Sequence, residues 1–206
     1  MTAAPECAKH AVMKHIILTA SACALVACSA PATSGQSSPQ EDFFASLSEL
    51  CGQAFNGKLV STDEADAAFG EQSMVMHVRE CSDTEIRVPF HVGEDRSRTW
   101  VITRQDAGLR LKHDHRHEDG SEDAVTQYGG DTSEAGTTTR QSFPVDAFSI
   151  AMFEREGLTA SVVNVWSVEV SEGLFAYELT RPGRLFRVEF DTSTPVTSPP
   201  APWGFE

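Results

Sequence analysis

The stretch LKHDHRHEDG, residues 111–120, sets three imidazoles at alternate positions, His113, His115 and His117. Imidazole is the commonest metal ligand and the usual general base near neutral pH, so zinc binding and acid–base catalysis are the chemistries to weigh. In a β-strand alternate side chains share a face. The three histidines therefore lie with Leu109 and Leu111 on the core side, and Lys112, Asp114, Arg116 and Glu118 lie opposite. Same-face neighbours are about 6.6 Å apart, so two adjacent imidazoles can share an ion but all three, spanning about 13 Å, can hardly do so. A catalytic zinc takes three protein ligands and keeps one position open, which obliges a further ligand to come from elsewhere. Glu118, Asp119, Glu122 and Asp123 are the nearest carboxylates in sequence. His77 and His91 stand opposite the apolar faces of their own strands and are weak donors to an interior site. The competing expectation is a strand end whose histidines hydrogen-bond to neighbouring polar groups.

Other catalytic patterns are thinner. His-Asp-His-Arg-His is not the His-x-His-x-Asp-His zinc pattern, and neither a Gly-x-Ser-x-Gly elbow nor a Gly-x-x-x-x-Gly-Lys phosphate cradle occurs. Haem is a weaker variant of the metal expectation, because no histidine follows His117 and an axial ligand must come from the first half. An inward His113 beside Tyr128 or Glu178 is the best acid–base pairing by residue type. The run EDRSR, residues 94–98, followed by Trp100, offers arginine to an anion or an aromatic ligand; a salt-bridged loop explains it equally.

The elements that must position these residues are mostly strands. Met74, Met76 and Val78 alternate with His77 and Arg79, and Ile86, Val88, Phe90 and Val92 alternate with Arg87 and His91, which predicts a hairpin. Residues 99–104 and 109–118 flank a turn at 105–108, and Asp119-Gly120 turns the chain toward a strand at 124–128. Residues 162–170, 174–180 and 185–191 form a three-stranded meander, with Pro182-Gly183 at the centre of its second turn. Strands at 58–61 and 137–142 bring the number to about ten. Helices are expected at 42–55, carrying Cys51, and at 145–156, between Pro144 and Gly157.

An antiparallel meander of that size protects its edges completely by closing into a barrel. The order of elements is similar to that of the calycins, the lipocalin and fatty-acid-binding type, although Gly52-Gln53-Ala54-Phe55 lacks the lipocalin Gly-x-Trp. The resemblance implies a barrel with an N-terminal helix and a second helix before the last three strands. An open twisted sheet or a sandwich is the alternative. Trp100, Leu109, Leu111, Tyr128, Trp166, Tyr177, Phe186 and Phe190 are then the residues to line an interior cavity, or to fill it. The segments FHVGEDRSRTW and LKHDHRHEDG, followed by YGG, also resemble a family of exported bacterial domains to which no activity is attached.

The N-terminal run MKHIILTASACALVAC, with Met13 the better start, joins Lys14 to a short apolar segment and small residues, as an export signal does. The apolar stretch is shorter than the roughly 20 residues of a membrane-spanning helix. Its ending Leu25-Val26-Ala27-Cys28 resembles the bacterial lipobox, which implies cleavage after residue 27 and acylation of Cys28. Ser29 in place of Asp implies the outer membrane, so the expected location is the cell envelope, facing the periplasm. Residues 28–40, rich in Ser, Pro, Gly and Gln, read as a tether, residues 41–192 as one domain, and residues 193–206 as a Pro-rich tail.

The chain has 16 basic and 30 acidic residues, a net charge of −14, and losing residues 1–27 takes away Lys9, Lys14 and Glu6. Such acidity excludes nucleic acid as a favoured partner and leaves cations or neutral and apolar ligands. After the signal and Cys28, two cysteines remain, Cys51 and Cys81, which an oxidising compartment would pair. These features converge on a lipid-anchored, non-enzymatic envelope domain that binds a small, mostly apolar ligand or serves as an interaction module. A metal-binding or metalloenzyme domain built on His113, His115 and His117 is the alternative.

Overall fold

A computed structural model describes residues 37–205 of the chain. The expected signal, the lipidated Cys28 and most of the tether lie outside the described residues. The domain begins with α1, Pro39–Ser48, whose first turn is built by local chemistry: the Ser38 hydroxyl accepts from the Glu41 amide, the Glu41 carboxylate accepts from the Ser38 amide, and Pro39 follows the cap. Strand β1 (Ala54–Leu59), the one-turn helix α2 (Ala67–Gly70), β2 (Met74–His77), β3 (Glu80–Cys81), β4 (Glu85–Val92), β5 (Asp95–Gln105), β6 (Gly108–His115) and β7 (Tyr128–Asp131) follow. The second half holds β8 (Arg140–Pro144), α3 (Ala147–Arg155), β9 (Val165–Ser171), β10 (Leu174–Arg181) and β11 (Arg184–Val196).

The strands form one antiparallel sheet in the order β7-β6-β5-β4-β2-β1-β11-β10-β9-β8, with β3 paired to β4 alone. The sheet curls into a nearly closed ten-stranded barrel, consistent with a calycin-like architecture. Its ends, β7 and β8, meet without a ladder of strand hydrogen bonds. The seam is made by the start of α3 instead. Asp146 N–H donates to the Gly129 carbonyl at 2.9 Å, and Gly129 N–H donates to Ser149 Oγ at 2.8 Å. The single Ser149 proton then goes to Asp146 Oδ1, 2.7 Å away, which also accepts from the Ser149 amide at 2.8 Å. So close an approach needs Gly129 and Gly130, where a Cβ would stand 1.9 Å from the Leu111 carbonyl oxygen and 1.7 Å from that of Pro144.

The alternation seen in the sequence becomes an inner apolar face. Ile86, Val88 and Phe90 of β4, Trp100 and Ile102 of β5, and Leu109 and Leu111 of β6 are buried together with Trp166, Phe175, Val188 and Phe190. The interior is therefore largely filled. Trp100 stacks on Tyr177, Phe90 and Phe175 at centroid distances of 4.4, 4.9 and 5.9 Å. One end of the barrel is plugged by α1, whose Phe43, Phe44 and Leu47 are buried in the same core.

Four sequence expectations are corrected. The first helix stops at Ser48 rather than residue 55, because a turn through Gly52, at φ +81°, takes over. Cys51 therefore sits in that exposed turn, disulfide-bonded to Cys81. The strand expected at 124–128 lies instead at Tyr128–Asp131, where Gly129 and Gly130 can approach the seam. The tail expected from residue 193 is partly strand, since β11 resumes its pairing with β1 at Pro195 and Val196 after residues 191–194 loop out around the Asp191 carboxylate. Beyond it the chain returns to the outer face of β4–β6. The Phe205 carbonyl accepts from Arg79, and the Arg87 and Arg116 guanidinium carbons lie 4.7 and 5.0 Å from the Phe205 ring centroid.

Candidate functional site

The end of the barrel opposite α1 holds a recess of about 210 Å³. Its floor is Trp100 and Tyr177, its walls are Phe90, Tyr128, Leu179 and Phe186, and Phe69 of α2 roofs it. The Phe69 ring meets Phe186 edge-on at 5.6 Å. α2 is held over the mouth by charge: the two terminal nitrogens of Arg184, in the β10–β11 turn, grip the two oxygens of buried Asp66, and Asp63 lies 3.1 Å from the same guanidinium. A second recess of about 220 Å³ adjoins it, sharing His115, Tyr128, Leu179 and Arg184.

Two histidines reach this site. β5 and β6 pair with Arg98 opposite His115 and Trp100 opposite His113, so these four residues stand together on the inner face. His113 is buried and fully bonded. Its Nδ1 lies 3.0 Å from the Tyr128 carbonyl, which can only accept, so Nδ1 carries the proton. Nε2 is then an acceptor and receives the Tyr177 hydroxyl at 2.8 Å. The Tyr128 ring stacks on His113 at 4.4 Å, and its hydroxyl is 3.2 Å from His115 Nε2. Gln127, at φ +58°, brings Tyr128 into this place; its amide donates to the His113 carbonyl at 2.6 Å.

Burial sets the charge states. It depresses His113 from 6.5 to about 3 and His115 to about 4, assisted at His115 by the Arg98 charge. Burial also pushes the Tyr128 and Tyr177 phenols above their ordinary value. At neutral pH the four rings form an uncharged hydrogen-bonded group at the bottom of an aromatic recess.

His117 does not join them. β6 ends at His115, and His117 projects outward, 57% exposed, with Nε2 3.9 Å from Asp123. The expected run of three inward histidines is thus two. Zinc does not fit them: both His113 nitrogens are engaged, the rings of His113 and His115 are 6.5 Å apart, and among the described residues no three His, Cys, Asp or Glu side chains are placed to share an ion. The acid–base partner Glu178 is also elsewhere, ion-paired with Arg140 and Arg187 on the outer face.

Of the eight residues expected to line a cavity, Trp100, Tyr128, Tyr177 and Phe186 do so. Leu109, Leu111, Trp166 and Phe190 are buried in the filled part of the barrel. Asp66, Phe69 and Arg184 escaped the sequence reading. A one-turn helix shows no periodicity, although Asp63, whose side chain accepts from the Ala65 amide, marks its approach. His91, expected to face away from the interior, does so, but it is only 4% exposed and its Nε2 has no partner among the described residues. No family model, curated protein or solved structure matches the chain.

Proposed function

We propose that the protein binds a small, mostly apolar molecule in the mouth recess and catalyses no reaction there. The observation that carries this is the contrast inside one barrel: the interior is packed solid up to Trp100, and above it an aromatic recess opens to solvent. At about 210 Å³ the recess is smaller than the roughly 300–1,000 Å³ typical of drug-sized sites, so its occupant is small. Binding suits the chemistry better than catalysis does. His113 has no free lone pair, Tyr128 and Tyr177 stay protonated, and among the described residues the recess lining holds no serine, threonine, cysteine or lysine to act as a nucleophile.

The setting we propose is the bacterial envelope, with the protein exported, acylated at Cys28 and held to the outer membrane facing the periplasm. The Cys51–Cys81 disulfide suits an oxidising compartment. Substituting Cys28 by Ser should move the protein from the membrane to the soluble fraction.

The test of binding is native mass spectrometry of the protein purified from the envelope, beside a Leu179→Trp variant that fills the recess. A small organic adduct on the wild type and none on the variant is the expected result. Bare masses for both, together with unchanged tryptophan emission when small aromatic compounds are added, would sink the proposal.

A further inference from the structure

We infer that the ligand is a small monocarboxylate, its carboxylate held by Arg98 and its hydrocarbon or aryl part lying between Trp100 and Phe186. This rests on the recess being a binding site at all. Three charged side chains line it, Asp66, Arg98 and Arg184. Two of them are spent on each other, since Arg184 grips both oxygens of Asp66. Arg98 is different. Among the described residues its guanidinium makes one hydrogen bond, from Nη1 to Asp95 Oδ2 at 2.6 Å, and Asp95 is not part of the recess wall. Nε and Nη2 therefore carry protons with no protein acceptor among the described residues.

Those two nitrogens lie side by side on one edge of the planar guanidinium. That edge matches the two oxygens of a carboxylate, the geometry in which arginine binds most specifically. The guanidinium is also steadied from one face, 5.5 Å from the centroid of the Phe69 ring. Partly buried at the mouth, such a group gains more from an anion than an exposed arginine does, because water screens it less.

Charge decides between the candidates. An aromatic recess also suits an organic cation, through the ring faces. Here a cation would meet Arg98 and find no free carboxylate, because Asp66 is already neutralised. Asp63 and Asp66 both pair with Arg184, and Asp95 engages only Nη1 of Arg98, so what the recess offers a ligand is the open donor edge of Arg98 and no free carboxylate. His113 bonds Tyr177 and the Tyr128 carbonyl, and His115 Nε2 bonds the Tyr128 hydroxyl, so His113 and the two phenols do not compete for the carboxylate. Size then restricts the acid to a short or single-ring one, since a long acyl chain would need the interior that Leu109, Leu111 and Phe190 fill.

The experiment is calorimetric titration of the full protein with phenylacetate and with its neutral isostere phenylacetamide, on wild type and Arg98→Gln. We expect the acid to bind wild type roughly tenfold tighter than the amide. In Arg98→Gln the preference should disappear while amide affinity is kept, which also shows the variant folded and the recess intact. Equal affinity of acid and amide for wild type overturns the carboxylate and leaves the recess standing. A preference that survives Arg98→Gln overturns the role of Arg98. If neither probe binds wild type at millimolar concentration, the recess itself fails as a site and the inference falls with it. Should Arg98→Gln not fold, the wild-type ratio alone decides for or against the carboxylate.

Discussion

The two ends of the barrel are closed by different means. At one end α1 is ten residues long, locally capped, and drives Phe43, Phe44 and Leu47 into the core, with the Arg104 guanidinium 4.4 Å from the Phe44 ring centroid. At the other end α2 is a single turn, none of its residues is buried, and an ion pair between Asp66 and Arg184 holds it down. Closure by packed hydrocarbon fills the core beneath α1, and the hollows of about 380 and 710 Å³ at that end are lined mostly by polar and charged residues. Closure by one aromatic ring and one ion pair leaves a recess, where His113 and Tyr177, costly to bury unpaired, are hydrogen-bonded to each other while Arg98 keeps an open edge. On the function proposed above, stability is concentrated at the first end and binding at the second.

Truncation should separate the ends most sharply. Phe43→Ala removes a fully buried ring and should cost about 3–5 kcal/mol in denaturant unfolding, with the recess unaltered. Phe69→Ala, at a partly buried position, should cost about 1 kcal/mol or less yet weaken phenylacetate binding several-fold. If the two variants lose similar stability, the division of labour is wrong. The disulfide comes next. It joins the turn after α1 to β3, and Cys51→Ser with Cys81→Ser should cost about 3 kcal/mol and leave binding unchanged.

Acid should act on the binding end. Folded His113 sits near about 3 because burial disfavours its charge, against 6.5 in the unfolded chain. Between those values the unfolded state binds the additional proton, so stability is complete above pH 6.5 and falls as pH drops, by up to about 1.4 kcal/mol per pH unit for this one group. Unfolding at pH 6.5 and 4.5 should therefore differ by about 2 kcal/mol more in wild type than in His113→Gln. An equal pH dependence in the two would mean that His113 is not held neutral. The smallest effect concerns the outer face, where Phe205→Ala removes the ring beneath Arg87 and Arg116. A loss of about 1 kcal/mol, visible as a shift in thermal midpoint, is expected.

The same contrast explains what the sequence could convey. Period-two alternation over β4, β5 and β6 and the Pro182-Gly183 turn reported the barrel, because each strand buries one face and solvates the other. The inward placement of His113 beside Leu111 followed from that alternation. His117 broke it, since pairing stops at His115 and the chain bends there to meet Glu122, where Arg116 makes an isolated bridge. The mouth was mostly silent. α2 has one turn and Arg184 and Asp66 are 118 residues apart in sequence, while the run EDRSR before Trp100 did offer an arginine to an anion without telling that Arg98 keeps two donors open. The seam was equally hidden, as the strand expected at 124–128 stops short of Gly129 and Gly130, and nothing in the sequence shows the Ser149 hydroxyl taking the place of a neighbouring strand. The docked tail was missed because proline-rich composition says nothing about Arg79, Arg87 and Arg116 waiting on the far side of β4 and β6.

The most direct test is a two-dimensional amide NMR titration of the protein with phenylacetate. Saturable shifts at His115, Tyr128, Leu179 and Phe186, with Phe43, Phe44 and Leu47 unmoved, are what the account predicts. Shifts centred on α1, or none at any position up to millimolar ligand, would contradict it.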